Sequence, residues 1–276
     1  MMNDVCPFCD SRVVVPQSLI TNDLTYVLYN YQPFNRGHVM VIPKKHADNI
    51  RGLTDQEFVE MFLVMRDVST RMHDYLNADG YTYQINEGKC AGQEVFHVHF
   101  HFIPRYKNDW FDKRSRKQLK NLNIPKLRGL DKKVLTFRKM LGVEELQDSS
   151  CIDKLLLYER GDVAVSLSEK PWNKAHCYVA PSIPVNTIRE CSDKLLNDIA
   201  LEVKKMSCVI MDVMNFSGVN YKIVEGYGQS FRVEVIPRCE DDVFNRYRRK
   251  HPLEIDLPIL KGKDLFEHVA EFKRLF

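Results

Sequence analysis

The chain has 276 residues, enough for two ordinary domains or one large one. With 44% hydrophobic and 28% charged residues, and only 12 Gly and 12 Pro, its composition is that of a globular protein. The formal net charge of +3 neither favours nor excludes a polyanionic partner. No apolar run approaches the length of a transmembrane helix, and the first residues show no basic region followed by an apolar one. We therefore expect neither a membrane span nor a signal peptide.

Cysteine spacing bears on location and on metal binding. Eight cysteines are scattered through the chain, and only Cys6 and Cys9 are close together. We therefore expect free thiols in a reducing cytoplasm rather than a disulfide framework. The Cys-x-x-Cys spacing can hold one zinc ion, which needs two further ligands, or can form a redox pair. A redox pair would be expected near a β-α-β pattern, and none follows. The alternative to a zinc site is therefore that Cys6 and Cys9 are two free surface thiols.

Strands are predicted on both sides of a long helix. Residues 23–30 and 37–43 are rich in strand-forming side chains, and residues 32–36 connect them as a hairpin. Residues 81–86 form a further strand pattern.

The helix between these strands begins with capping-box spacing, in which Thr54 is followed three residues later by Glu57. Apolar side chains then recur at helical spacing up to about residues 77–80. Such a stripe is typical of a core-facing helix surface; it comprises Phe58, Met61, Phe62, Met65, Val68, Met72 and Tyr75.

The most informative stretch is residues 95–105, which have the sequence VFHVHFHFIPR. His97, His99 and His101 are two residues apart, and apolar residues fill the places between them. A period of two and the abundance of Val, Ile and Phe predict an extended strand, so the three imidazoles share one face. The alternative interpretation is an ordinary half-exposed strand with a polar face.

This pattern resembles the motif of the histidine triad (HIT) superfamily of nucleotide hydrolases and transferases, in which three histidines alternate with apolar residues. Residues 86–88 and 92–95 resemble the glycine-rich loop that precedes the triad in that family, and residues 33–46 resemble its earlier strand pair and loop. The resemblance covers about residues 4–110 and implies an α+β fold, an antiparallel sheet with a long helix.

The resemblance also implies roles for individual residues. The middle histidine, here His99, is the nucleophile and forms a nucleotidyl-histidine intermediate, while His101 contacts the α-phosphate and His97 completes the catalytic triad. Because transferase branches typically carry Gln at the third place, His101 favours transfer to water, although some phosphorylases also keep His. Glu94 stands where several members have Ser or Thr and others have Glu. The implied nucleotide contacts are Asn30, Asn86, Gly92, Gln93, Glu94 and Val95.

Elementary chemistry agrees with these roles. Imidazole has an unperturbed pKa near 6.5, so a neutral nitrogen can attack phosphorus and then depart as part of an imidazolium. Neighbouring histidines can donate hydrogen bonds to phosphate oxygens. Family members with the N-terminal cysteine pair further imply a closed, structural Zn²⁺ site completed by two histidines, here Cys6, Cys9, His46 and His97.

Residues 111–142 differ in charge from the rest of the chain, with eleven basic and only two acidic side chains. A segment this basic can contact RNA, DNA or a polyphosphate. The alternative is a solvated linker and helix.

The second half of the sequence repeats the first at an offset of 138 residues, without a gap from about residue 23 to residue 88. About 18 of the 66 aligned residues are identical. After five missing loop residues, the triad positions become Ser230, Arg232 and Glu234. Three further site positions change to Ser168, Val224 and Pro184. We predict a degenerate HIT-like domain that lacks the triad; chance similarity between two α+β domains is the alternative.

These observations predict four segments. A catalytic HIT domain with the zinc knuckle spans 1–110, a basic linker 111–150, the degenerate domain 151–242 and a tail with a packing helix 243–276. The two domains are expected to pair as an intramolecular pseudo-dimer with one active site, and further homodimerisation is possible.

The leading functional hypothesis is a nucleotidyl hydrolase acting on a nucleoside 5′-phosphoryl bond. Candidate substrates are dinucleoside polyphosphates, phosphoramidates and adenylylated adducts. Three alternatives remain open: a nucleotidyltransferase or phosphorylase that uses the same intermediate, an enzyme that removes AMP or a cap from nucleic-acid 5′ ends through the basic segment, and a nucleotide-binding sensor without turnover.

Overall fold

A computed structural model of the chain describes residues 6–109, 130–141, 155–226, 229–250 and 259–276. Most of the basic segment 111–142 lies outside these ranges, so its contact with nucleic acid stays a prediction. Within the described ranges, no helix is long and apolar enough to cross a membrane.

Ten strands and six α-helices make up the described fold. The strands are β1 Ser18–Thr21, β2 Thr25–Tyr29, β3 Val39–Pro43, β4 Gly80–Glu87, β5 Phe100–Arg105, β6 Leu156–Arg160, β7 Val163–Leu167, β8 Cys177–Pro181, β9 Gly218–Gly226 and β10 Gln229–Arg238. The helices are α1 Ser11–Gln17, α2 Asp55–Leu76, α3 Leu130–Leu141, α4 Asp193–Cys208, α5 Val243–Lys250 and α6 Gly262–Lys273.

The long helix α2 begins and ends as its sequence predicts. The Thr54 side chain accepts a hydrogen bond from the backbone N–H of Glu57, and the Glu57 side chain accepts one from the backbone N–H of Thr54. Asn77 ends the helix in a left-handed conformation with φ of 48°, which Asn tolerates better than most residues. Six of the seven side chains of its apolar stripe are buried, as in Phe58 and Met65. Tyr75, the last of them, is 42% exposed, so the prediction is wrong for this one residue.

All ten strands form one antiparallel sheet in the order β1-β2-β3-β5-β4-β9-β10-β8-β7-β6. The second five strands therefore repeat the order of the first five, reversed across the β4–β9 junction. Helices α2 and α4 pack against one another and against the same face of the sheet. This face holds the main core, which includes Phe62, Phe100 and Phe231.

The N-terminal segment covers part of the opposite face. A 3₁₀ turn, Pro7–Cys9, and α1 place Phe8 and Val14 against Leu28, Met40 and Ile42 of β2 and β3. Neither α1 nor β1 is predicted by the sequence patterns. At the other terminus, α6 packs against α1 and β1, and its Phe272 is fully buried.

A pair of repeated hydrogen bonds crosses the β4–β9 junction. The buried carboxylate of Glu87 accepts a hydrogen bond from the hydroxyl of Tyr221 at 2.8 Å, and Glu225 accepts one from Tyr83 at 2.8 Å. These two pairs are related by the 138-residue offset. The strand register obeys the same relation, because Tyr83 pairs with Ile223 and Ile85 pairs with Tyr221. Each half therefore contributes a glutamate that binds a tyrosine of the other half.

The predicted extended strand over residues 95–105 is only partly correct. The regular strand β5 begins at Phe100, because pairing with β3 and β4 starts there. Before that point the backbone N–H of Val98 donates to the carbonyl oxygen of Ala47 at 2.7 Å. His97 and His99 thus lie in the segment that enters the strand. Val98 is nevertheless fully buried, as the alternation predicts.

Candidate active site

The three histidines of the triad motif lie together, but each has a different environment. The rings of His99 and His101 are 4.6 Å apart between centroids and nearly perpendicular. Phe8 packs edge-on against His99 at 5.2 Å and against His97 at 5.9 Å. The N-terminal segment therefore forms one wall beside the triad. Nothing in the triad motif predicts this contribution of Phe8.

A backbone carbonyl orients His99. Its Nδ1 lies 2.8 Å from the carbonyl oxygen of His97. A carbonyl oxygen can only accept, so Nδ1 carries the proton and Nε2 keeps a free lone pair. Burial lowers the pKa of His99 to about 4, which favours the neutral ring. The geometry thus prepares Nε2 to act as a nucleophile.

His38 determines the tautomer of His101. The backbone N–H of Phe34 donates to Nδ1 of His38 at 3.2 Å, so the proton of the neutral His38 ring is on Nε2. That Nε2 lies 3.0 Å from Nδ1 of His101 and donates to it. Nε2 of His101 must then carry the ring's own proton and can donate to a substrate oxygen. Burial lowers the pKa of His38 to about 3 and that of His101 well below its usual value.

His97 belongs to a second cluster, with Cys6, Cys9 and His46. Its Nε2 lies 2.8 Å from the carbonyl oxygen of Pro43 and must donate to it. The lone pair of Nδ1 faces the sulfur atoms of Cys6 and Cys9 at 3.5 and 3.6 Å. Nδ1 of His46 lies 3.4 Å from the sulfur of Cys9. The four donor atoms lie within 4.8 Å of one another, so this cluster could hold a metal ion.

The glycine-rich loop is stabilised by its own side chains. Gln93 is buried, accepts a hydrogen bond from the backbone N–H of Gly88 at 2.8 Å and donates to the carbonyl oxygen of Asp48 at 2.7 Å. Gly92 has φ of 89°, in the left-handed region that favours glycine. The side chain of Gln93 therefore holds the loop, and a nucleotide contact by Gln93 would use its backbone. Glu94 is exposed and Val95 half-buried at the loop's end.

The two predicted asparagines stand on opposite sides of the triad strand. Asn30 directly follows β2, and its side-chain amide lies 3.3 Å from the ring nitrogens of His38. Asn86 lies on β4 and accepts a hydrogen bond at 2.7 Å from Asn220 on β9. Asn220 also donates to the carbonyl oxygen of Ala91 at 2.8 Å. The second half of the chain thus supports the loop and Asn86 directly.

The structure brings several of the predicted site residues together, along with others that were not predicted. The predicted metal ligands converge, and Asn30 and His101 both contact His38. His38, Phe8 and Asn220 were not predicted as site residues. A signal for His38 was present, because histidine recurs at the same place in the repeat as His176. No comparable signal exists for Phe8 or Asn220, since their contacts join residues distant in sequence.

Comparisons with known proteins agree with this geometry. Residues 12–108 match the family model of the HIT domain. The chain is 41% identical over 90 residues to the bis(5′-adenosyl)-triphosphatase of Dictyostelium discoideum, a match that covers 33% of this chain and 60% of that protein. It is 30% identical over 133 residues to an uncharacterized HIT-like protein of Borreliella burgdorferi, covering 47% of this chain and 95% of the relative.

A solved uridylyltransferase structure matches with a TM-score of 0.53 and 13% identity, covering 86% of this chain and 74% of that one. This likeness extends across both halves of the sheet and concerns the fold alone. The α+β fold, the histidine motif and the family-model match define the class of protein as one with a histidine triad domain. The chain belongs to the HIT family.

Proposed function

We propose that the protein is a nucleotidyl hydrolase that cleaves a nucleoside 5′-phosphoryl bond through a covalent intermediate on His99. The observation that carries this proposal is the 2.8 Å hydrogen bond from Nδ1 of His99 to the carbonyl oxygen of His97. It leaves Nε2 unprotonated, in a ring whose centroid lies 4.6 Å from that of His101. The similarity to a protein named bis(5′-adenosyl)-triphosphatase supports a dinucleoside polyphosphate as substrate.

The proposed reaction has two displacements. First, Nε2 of His99 bonds to the α-phosphorus while the bond to the leaving oxygen breaks, and the polyphosphate departs with the electron pair. The Nε2–H of His101 donates a hydrogen bond to an α-phosphate oxygen. Water then attacks phosphorus, the phosphorus–nitrogen bond breaks, and the proton lost by water passes to solvent. His99 returns to its starting state.

We further propose that Cys6, Cys9, His46 and His97 hold a structural Zn²⁺ ion. At the usual bond lengths, sulfur and nitrogen ligands of a tetrahedral zinc are about 3.6 Å apart. The sulfur–nitrogen distances of 3.4 to 3.6 Å fit this value. The lone pair on Nδ1 of His97 is held towards the cysteines by the Nε2 hydrogen bond to Pro43, a second contact of the kind that orients metal ligands. When bound, the ion would stabilise the N-terminal segment.

The second half of the chain is proposed to be a degenerate HIT-like copy that forms a pseudo-dimer with the first. Repeated contacts support this. The backbone N–H of Trp172 donates to Nδ1 of His176 at 3.3 Å, as Phe34 does to His38. Glu234 takes the place of His101 beside this second histidine, 3.7 Å from its Nε2. One chain would then carry one active site. A size measurement showing that residues 1–110 alone form a stable, fully active dimer would count against this arrangement.

The test compares the wild-type protein with His99→Asn on diadenosine tetraphosphate, an AMP-lysine phosphoramidate and adenylylated DNA, each with and without phosphate, with products identified by mass. We expect AMP from the wild type and a roughly 10⁴- to 10⁶-fold loss in the variant. His73→Asn, on the exposed side of α2, is the control and should keep full activity. ADP that appears only with phosphate would identify a phosphorylase. Tight nucleotide binding without turnover of any substrate would contradict the enzyme proposal.

A further inference from the structure

The histidine face of the sheet continues without interruption into the second half of the chain. In the strand register, His101 lies opposite Gln84 on β4, and Gln84 lies opposite Lys222 on β9. Residues directly opposite each other in antiparallel strands point to the same face. Neighbouring strands are about 4.8 Å apart, so the backbones of Lys222 and His101 are separated by about 10 Å. A lysine side chain can span much of this distance.

Lys222 has an unusual position for a lysine. It is half-buried at the centre of a ten-stranded sheet, and burial lowers its pKa. Its ammonium group makes no hydrogen bond with any residue in the described ranges. The charge of Glu234 raises the pKa of Lys222 and that of Arg238 lowers it, both against the larger effect of burial. An ammonium group that has lost part of its water and has no hydrogen-bond partner is costly, and an anionic ligand would relieve that cost.

The nearest acidic side chain on this face is already engaged. Glu234 lies opposite Lys222 on β10, but its carboxylate binds Arg232 at 2.8 Å and faces Nε2 of His176 at 3.7 Å. Lys222 therefore shares the Glu234 carboxylate with Arg232 and His176 and has no carboxylate of its own to bind. The equivalent place in the first half holds the neutral Gln84, so the repeat carries a cation here only in its second copy.

His101, Gln84 and Lys222 form a row across β5, β4 and β9. This row runs in the direction in which the leaving group of the substrate is expected to extend. The family resemblance implies that Asn30 contacts the ribose. Asn30 lies on the β2 side of His101, and His99 and His101 would hold the α-phosphate. The leaving group then extends towards β4 and β9, away from the nucleoside. The groups it would meet in that direction are Gln84 and Lys222.

We propose that Lys222 of the second half binds the anionic leaving group of the substrate and so determines specificity for polyphosphates. This inference rests on the proposed hydrolase function and adds a role for the copy that lacks the triad. The second copy completes the active site across the β4–β9 junction. Substrates with an uncharged leaving group would gain nothing from Lys222.

The test uses the full chain and two substrates that share the AMP group: diadenosine tetraphosphate and adenosine 5′-phosphoromorpholidate, whose leaving group is an amine. We expect Lys222→Met to lower kcat/KM for diadenosine tetraphosphate by roughly 10- to 100-fold, the usual effect of losing one charge-assisted hydrogen bond. The morpholidate should change by less than about threefold. Lys222→Arg should restore most of the polyphosphate activity. Lys139→Met, an exposed lysine on α3, controls for the loss of one positive charge.

Each outcome separates this inference from the hydrolase proposal. Equal losses on both substrates, or no loss on diadenosine tetraphosphate, would overturn the role of Lys222 while leaving His99-dependent turnover intact. Failure of the wild type to turn over either substrate would overturn the hydrolase proposal instead. In that event, binding of ATP and AMP still decides the matter, because Lys222→Met should weaken ATP binding only. Equal affinities of the variant and the wild type for ATP would refute the anion site.

Discussion

At the scale of single residues, one backbone carbonyl and one neighbouring side chain give His99 and His101 opposite tautomers. His99 donates through Nδ1 and presents a lone pair at Nε2. His101 accepts at Nδ1 from His38 and presents a proton at Nε2. Because both rings are neutral when buried, these roles depend on geometry rather than on a charge difference. An unprotonated ring nitrogen of His99 and a ring N–H of His101 are therefore available side by side, as the proposed mechanism requires.

His38 selects the tautomer of His101, although it is not itself part of the triad. We expect His38→Phe to lower kcat by about a hundredfold, because His101 then loses the donor that selects its tautomer. Single-turnover kinetics with diadenosine tetraphosphate would measure this. His176→Phe is the matched control, since that histidine has the same backbone contact in the second half and no triad beside it. Equal losses in both variants would show that the effect is on folding.

At the scale of elements, two short segments hold the site against the sheet. The N-terminal turn brings Cys6, Phe8 and Cys9 to the triad. The loop after β4 is held by the Gln93 side chain and by close contact with the second half. A Cβ atom added to Gly88 would lie 2.4 Å from the carbonyl oxygen of Ser217.

The N-terminal turn should depend on its metal. We expect purified protein to contain about one zinc per chain, and Cys9→Ser to contain little and to melt at a lower temperature. Metal analysis and thermal unfolding with and without a chelator would measure both. Cys208→Ser, at the end of α4 and far from the cluster, should bind zinc as the wild type does. Equal zinc contents in the Cys9→Ser variant and the wild type would contradict the assignment.

The loop after β4 should tolerate no side chain at Gly88. This residue has φ of 82° and no space for a Cβ atom. Gly161 has a similar φ of 58° and nothing within 4 Å of an added Cβ. We therefore expect Gly88→Ala to lower the free energy of unfolding by about 1–3 kcal/mol more than Gly161→Ala. Urea denaturation of both variants measures this difference in the free energy of unfolding. Equal losses of stability would contradict the prediction and would mean that the backbone at Ser217 moves to make space for the added methyl group.

At the scale of the whole molecule, the β4–β9 junction joins the two halves into one sheet. Buried polar groups at this junction are paired across it, and Glu87 is the most informative of them. Its carboxylate accepts from the backbone N–H of Ile50 and from the hydroxyl of Tyr221. Burial nevertheless raises the pKa of Glu87 to about 7. The Glu87 carboxyl group therefore binds its proton more tightly in the folded state than in the unfolded chain.

Glu87 should therefore make stability depend on pH. Below its unfolded pKa of about 4.5 the group is protonated in both states. As pH rises towards 7, the unfolded chain loses the proton first, and the folded state is destabilised by up to about 3 kcal/mol. Glu87→Gln removes this ionisation and keeps the size of the side chain, so the variant should gain stability relative to the wild type as pH rises.

Urea unfolding at about pH 5 and about pH 8 would test this. The exposed Glu267→Gln serves as control and should show a constant difference from the wild type. If Glu87→Gln differs from the wild type by the same amount at both pH values, Glu87 is not protonated in the folded protein.

Much of the fold could be predicted because it depends on local patterns. The helix α2 follows from its capping box and apolar stripe, and the hairpin of β2 and β3 follows from strand-forming runs joined by a turn. The triad segment was predicted as strand throughout, but His97 and His99 precede β5, because pairing with both neighbouring strands ends at Phe100. Local alternation cannot show where a partner strand stops.

The sequence by itself determined which chemical groups are available: the triad, the cysteine pair with its possible histidine partners, and a repeat in which the triad is lost. It also determined the offset of 138 residues that relates the two halves. Only the tertiary structure decided how these groups are arranged. The ring tautomers, the groups that select them and the place of Lys222, two strands from His101 on the same face, depend on strands paired from distant parts of the chain. Such contacts leave no local pattern because neither partner needs the other to adopt its own secondary structure.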